Sequence, residues 1–191
     1  MKKEEILDYF KKCKKNKKNI VKGYDIPPEM KDGRSWKVME STLTEQDIEK
    51  LEKEFDLMFP EEYKNYLMAA AHMFTNLTGN FDNFFFEDNV NVLLKILPQP
   101  YKAELKYIKE NFINNKILVK EGYIPLGEFD EDGYLCIDLK NSDEIVWLPF
   151  ENCIGFTSRK EFEQEQLHIF SYFSDYIKCF FGKETHMVED I

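Results

Sequence analysis

The 191-residue sequence predicts an α+β fold, an antiparallel β-sheet covered by helices. Three observations carry this reading. Helical periodicity marks the N-terminal third. Short β-rich runs separated by turn residues fill 116–156. A second helical pattern closes the chain.

The elements follow in order. Within 4–13, Ile6, Phe10 and Cys13 share one helical face, with Leu7 beside them. The Lys/Asn run at 11–19 has no interleaved aromatics, so it reads as a solvated face and not as a nucleic-acid site. Residues 23–35 hold two adjacent prolines and an Asp-Gly pair and read as a loop. Thr44 is the expected N-cap of the next helix, with Asp47 at the third helical position and Leu43 and Ile48 placed as a hydrophobic staple. Ile48, Leu51 and Phe55 form its apolar stripe. Another helix starts at Pro60, whose missing N–H is not needed in a first turn, and Glu61 and Glu62 complement its positive end.

Residues 75–99 resist assignment, and 80–86 fit a strand or a packed loop equally. A short helix is expected over 101–113, with Leu105, Ile108 and Phe112 on one face. A meander then reads as strands at 117–119, 123–127, 134–139 and 145–148, with one more at 153–156. Its turns are Asp130-Glu131-Asp132-Gly133 and Asn141-Ser142-Asp143. Ser158 and Glu161 form a capping box that opens one long final helix, in which Phe162, Ile169, Phe173, Tyr176 and Phe180 share a face and Gly182 is the stop. Residues 1–40 are read as an N-terminal helix and loop, 41–182 as the main domain and 183–191 as a flexible tail.

Composition narrows the chemistry. Net charge is −10, yet residues 1–22 carry nine Lys and three acids, a balance of +6, so the remainder stands at −16. An acidic body repels nucleic acid and anionic membranes and favours encounter with basic proteins. No apolar stretch has the length of a membrane span, and the charged N-terminus is unlike a signal peptide, so a cytoplasmic protein is expected. Cys13, Cys136, Cys153 and Cys179 are far apart and read as reduced thiols, not as metal ligands. The 130–133 turn is no calcium loop, because Tyr134 and Cys136 occupy its next alternate positions. His72 reads as a satisfied or exposed histidine and His168 as a packing residue, and no nucleophile elbow, phosphate loop or zinc-protease motif is present. The chain is therefore read as non-enzymatic, without cofactor or metal.

Three stretches resemble the SUKH superfamily, also called SMI1/KNR4. Residues 43–55, running into Phe59-Pro60-Glu61-Glu62-Tyr63, are similar to the family's opening helix pair. Ile124-Pro125-Leu126-Gly127, the acidic turn and residues 134–139 are similar to its central pair of strands. Ile145-Val146-Trp147 and Phe173-Ser174-Asp175-Tyr176-Ile177 resemble its closing strand and terminal helix. The resemblance implies an α+β fold without catalytic residues. Bacterial members are commonly immunity proteins against nuclease or other toxins, and fungal relatives are scaffolding regulators. On this reading the partner is a cognate toxin domain, expected to be basic. Glu128, Asp130, Glu131, Asp132 and Asp143 would steer the encounter, and Phe85 and Trp147 are the candidate aromatic anchors. An intracellular scaffold is the second reading. A small-molecule binder or enzyme with a pocket near the 75–100 insert is the third.

Overall fold

A computed structural model of the chain describes residues 1–16, 24–84, 87, 89–153 and 155–188. The chain divides into two compact units, Met1–Thr75 with Leu97–Asn111, and Asn76–Ile96 with Phe112–Ile191.

The first unit is mainly helical. Helix α1 (Lys3–Asn16) buries Ile6, Leu7, Phe10 and Cys13, the face that its spacing predicts. A two-stranded hairpin, β1 (Lys31–Asp32) and β2 (Ser35–Trp36), follows and buries Trp36. Helix α2 (Glu45–Phe55) opens on the expected capping box, in which Thr44 accepts from the Asp47 N–H and Asp47 accepts from the Thr44 N–H. It stops at Asp56, in the left-handed region at φ 53°. Helix α3 (Glu61–Ala69) is capped by Pro60. Glu52 ties the two helices together by accepting from the Phe59 N–H at 2.7 Å and pairing with Lys64 at 2.9 Å. Phe10 packs against Tyr66, His72 and Phe74, and Trp36 meets Phe74 edge-on.

The second unit holds a seven-stranded sheet. Its strands are β3 (Asn76–Asp82), β4 (Val90–Lys95), β5 (Tyr123–Phe129), β6 (Gly133–Asp138), β7 (Glu144–Pro149), β8 (Leu167–Phe170) and β9 (Thr185–Met187). Their order is β8-β7-β6-β5-β4-β3-β9, antiparallel throughout except for the parallel β3–β9 pair. The segment that the sequence leaves unassigned is thus the β3–β4 hairpin. The region after 183, expected to fray, supplies β9, held by Asn80 donating to Thr185 Oγ1 and by the fully buried Val188. The sheet curls until its edges meet: His186 Nε2–H donates to the Ile169 carbonyl at 2.7 Å, and its ring lies 4.2 Å from that of Phe170.

The remaining helices are α4 (Glu104–Asn114), which begins in the first unit, α5 (Lys116–Lys120), α6 (Phe150–Cys153), α7 (Arg159–Glu165) and α8 (Phe173–Ile177). A π-helical stretch, Lys178–Gly182, continues α8 and ends at the predicted glycine. Strands β5 to β7 are covered on both faces. Leu135 and Ile137, with Trp147 and Ile145 opposite them, point to an aromatic core centred on Phe81, whose ring lies within 6 Å of Phe84, Phe129, Phe170 and Phe180. Cys136 and Val146 point the other way, into a second core with Leu118, Tyr123, Leu148 and Phe162. The predicted α+β architecture with a helix-covered antiparallel sheet is present.

Three local expectations give way. Residues 117–119 belong to helix α5, because Leu118 and Val119 are both buried and adjacent residues of a one-sided strand cannot share a face. Of the strand expected at 153–156, Cys153 ends helix α6 and Gly155 is a turn residue at φ 84°, while Ile154 lies outside the described residues. The long final helix breaks at Gln166, and β8 pairs with β7, which otherwise presents an unpaired edge. The residues expected on one face, Phe162, Ile169, Phe173, Tyr176 and Phe180, are nonetheless all buried.

Candidate binding surface at the acidic turn and the adjoining pocket

The β5–β6 hairpin closes on a tight turn, with the Asp132 N–H donating to the Phe129 carbonyl at 3.2 Å. Asp130 and Glu131 have φ of 52° and 63°, as a turn with the right twist for a hairpin requires at both central positions. Three consecutive carboxylates therefore stand off the end of the sheet, with Glu128 one step back on β5. Lys95 on β4 is shared between Glu131 at 3.1 Å and Glu128 at 3.5 Å. These partners, Glu131 first, raise the Lys95 ammonium above its usual value. Burial, then repulsion from Asp132 and Glu131, raises the Asp130 carboxyl. One ammonium among four carboxylates leaves the turn strongly negative.

The structure brings Glu128, Asp130, Glu131 and Asp132 together and separates Asp143 from them. Asp143 lies in the β6–β7 turn, at the other end of β6, a distance of roughly 20 Å along a six-residue strand. Its carboxyl is also raised, by burial and then by Asp138. Trp147 is only 5% exposed and packs its indole against Phe84 and Phe129, so it fills the core and presents no anchor to a partner. Phe85 lies outside the described residues.

Sequence reasoning missed the pocket beside this turn. A cavity of about 430 Å³ is walled by Leu118, Leu148, Phe150, Phe156 and Phe162, with Ile117 at its side. Asn114, Asn115, Lys116 and Thr157 are its polar lining residues. Two of its lining residues are tied to the acidic hairpin: the Phe150 N–H donates to the Asp132 carbonyl, and Tyr134 pairs in register with Glu128. This apolar space lies at 114–118 and 148–157 rather than beside the 75–100 insert.

A buried polar clamp holds the pocket's α7 wall. Asp138 is fully buried, and both of its oxygens accept from Arg159 Nη2 at 2.6 Å. The Lys140 N–H and Gln166 Nε2 complete its hydrogen bonds. Gln166 Oε1 accepts from the Tyr123 hydroxyl, and the Arg159 guanidinium lies 4.3 Å from the Tyr123 ring centre. The signal was legible in part, since Asp138 alternates with Cys136 and Tyr134 onto a face that the sheet buries. Arg159 sits 21 residues later, and no spacing rule joins it to Asp138.

Of the histidines and cysteines weighed in the sequence, Cys153 is the one among the pocket's lining residues. His72 is fully buried in the first unit, its Nδ1 accepts from the Phe74 N–H at 3.3 Å, and burial pulls its pKa down to about 3. Cys136, Cys153 and Cys179 are thiols outside any disulfide. Cys153 lines the pocket, and burial pushes its thiol up to about 11, far from a nucleophile's range. Among the described residues no group of His, Cys, Asp and Glu side chains is arranged to hold a metal ion. No helix among them is long and apolar enough to cross a membrane.

Comparison with known proteins agrees with the fold. The family model described as SMI1 / KNR4 family (SUKH-1) matches residues 42–179, well over half of the chain. No curated protein and no solved structure matches. The matched span takes in the capped helix pair α2–α3, the acidic hairpin β5–β6 and the closing α8, the three stretches in which the sequence resembles that family. The chain belongs to the SMI1/KNR4 (SUKH-1) family.

Proposed function

We propose that this chain is a non-enzymatic immunity protein of the bacterial cytoplasm, which neutralises a cognate toxin by binding it directly. Membership of the SMI1/KNR4 family supports this, since immunity proteins are common among its bacterial members. The observation that carries the reading is the acidic β5–β6 turn, where Glu128, Asp130, Glu131 and Asp132 crowd one end of the sheet. A concentrated negative patch steers a basic toxin domain into encounter and raises its association rate. Occlusion of the toxin's own site then suffices, and the immunity protein needs no chemistry of its own. Asp143, on the far side of the hairpin, adds to the general field and is not part of the same contact patch.

The test is a search of the neighbouring genes for a toxin domain, followed by co-expression of that domain with the chain. The expected result is a stable complex on co-purification and restored growth of cells producing the toxin. A toxin that kills equally in the presence of the chain, with no complex recovered, would overturn the proposal and leave the scaffold reading in its place.

A further inference from the structure

The lining of the pocket is graded. Leu118, Leu148 and Phe162 are buried and belong to the second core. Tyr134, Phe150 and Phe156 are half-buried aromatics set edge-on, with 5.0 Å between the ring centres of Tyr134 and Phe150 and 5.7 Å between those of Phe156 and Phe162. Asn114, Lys116 and Thr157 are polar and exposed. Ile117, 43% exposed, adds an apolar side chain to that outer part. The charge has one sign. Acidic residues outnumber Lys and Arg by 36 to 26 in the chain, yet among the described residues Lys116 is the one charged group of the lining. Burial raises the Tyr134 hydroxyl and pushes the Cys153 thiol up to about 11, so both stay neutral at neutral pH.

We propose that this pocket binds a small amphiphilic monoanion, a free carboxylic acid with an aliphatic or aromatic body, whose carboxylate meets Lys116 and whose body lies against Leu118, Leu148 and Phe162. The volume of about 430 Å³ falls within the range of cavities that enclose small molecules, about 300 to 1,000 Å³. Phe162 stands on α7, which the Asp138–Arg159 pair fixes to β6, so this wall is in place before a ligand arrives. The apolar walls supply the affinity, because covering the half-buried rings and Ile117 takes apolar surface out of water. Lys116 supplies the selectivity. One ammonium matches one carboxylate, a cationic head would meet a like charge, and the second charge of a phosphate would find no further cation in the lining. The net charge of −10 opposes any anion from a distance, but at physiological ionic strength exposed charges are screened beyond about 8 Å, so the contact with Lys116 decides. The site makes no use of the acidic turn, and it stands or falls apart from the immunity function.

The test uses the full, isotope-labelled chain, followed by amide NMR and titrated at neutral pH with octanoate, octan-1-ol, octyltrimethylammonium and octyl phosphate, each below its micellar concentration. The four probes share one body and differ in the head. The expected result is saturable shifts at Leu118, Leu148 and Thr157 with octanoate, binding about threefold weaker with octanol, weaker still with the cation, and no tighter with the phosphate than with octanoate. Lys116 is exposed, so its replacement leaves the core alone. Lys116→Gln should erase the advantage of octanoate over octanol while octanol binds as before. Lys116→Glu should invert the order, with the cation bound more tightly than octanoate. Octanol carries no charge, so its binding to each variant reports an intact pocket. Octanol, the cation or the phosphate equalling or surpassing octanoate on the native chain would overturn the proposal, the phosphate only by surpassing it. An octanoate preference that survives Lys116→Gln would overturn it as well, as would shifts that fail to saturate, shifts that lie away from the pocket, or no binding by any of the four.

Discussion

Two buried residues show how a single side chain can set the stability of each unit. Asp138 is neutralised by Arg159 and fully hydrogen-bonded, so the pair costs little as it stands. Removing Arg159 is different, because it strands the fully buried Asp138 charge, whereas a guanidinium left alone would keep Glu163 at 2.7 Å. Arg159→Met should cost about 3–5 kcal/mol in urea unfolding, and the double change Asp138→Leu with Arg159→Met should recover most of it. A loss below about 1 kcal/mol in the single variant would show that water reaches the carboxylate freely. In the first unit, His72 is stacked against Phe10 and held neutral by burial. Its folded pKa lies below its unfolded value, so the stability it contributes is complete above about pH 6.5 and is lost as pH falls toward about 3. The slope in that window approaches about 1.4 kcal/mol per pH unit. His72→Phe should flatten it, as read from denaturation midpoints across the pH range.

The elements turn on local backbone demands. The β5–β6 turn holds Glu131 at φ 63°, a region where a side chain costs about 1 kcal/mol against glycine. Glu131→Gly should therefore stabilise the chain by about 0.5–1 kcal/mol while removing one carboxylate from the acidic patch. The opposite holds at Gly133, the first residue of β6. A Cβ there would lie 2.2 Å from Trp147 Nε1 and 2.4 Å from the Leu148 carbonyl, so the indole that closes the aromatic core would have to move. Gly133→Ala should cost about 1–3 kcal/mol, measured by thermal or urea unfolding. The capping boxes at Thr44 and Ser158 behave as their sequences predict, since each depends on residues three apart.

At the scale of the whole chain, charge governs behaviour. The net charge of −10 includes the acidic turn, and its effect on encounter is long-ranged and screened by salt. Changing Glu128, Glu131 and Asp132 together to Lys should slow association with a basic partner by about tenfold or more at low salt and flatten its salt dependence. An unchanged association rate in stopped-flow mixing would remove steering from the account. Acid has mixed effects on the fold. Asp47 and Glu161 are lowered by their capping partners, Thr44 and Ser158, so their contribution is present above the usual carboxylate range and lost as pH falls through their folded values. Asp130 and Asp143 are raised, so they act with the opposite sign.

What this sequence determines by itself is whatever neighbours within a few residues decide. The starts of α2 and α7, the apolar face of α1 and the hairpin turns at 130–132 and 141–143 are all legible, because a cap or a turn is satisfied by atoms three or four residues away. Tertiary structure decided the rest. Ile117-Leu118-Val119 and Leu167-His168-Ile169-Phe170 are short apolar runs that suit a helix turn or a strand about equally. One became helix α5, packed on the second core, and the other became β8, because β7 offered an open hydrogen-bonding edge. The pocket and its clamp belong to the same class. Their residues lie from 114 to 166 along the chain, and only the sheet's register and curl bring them to one place.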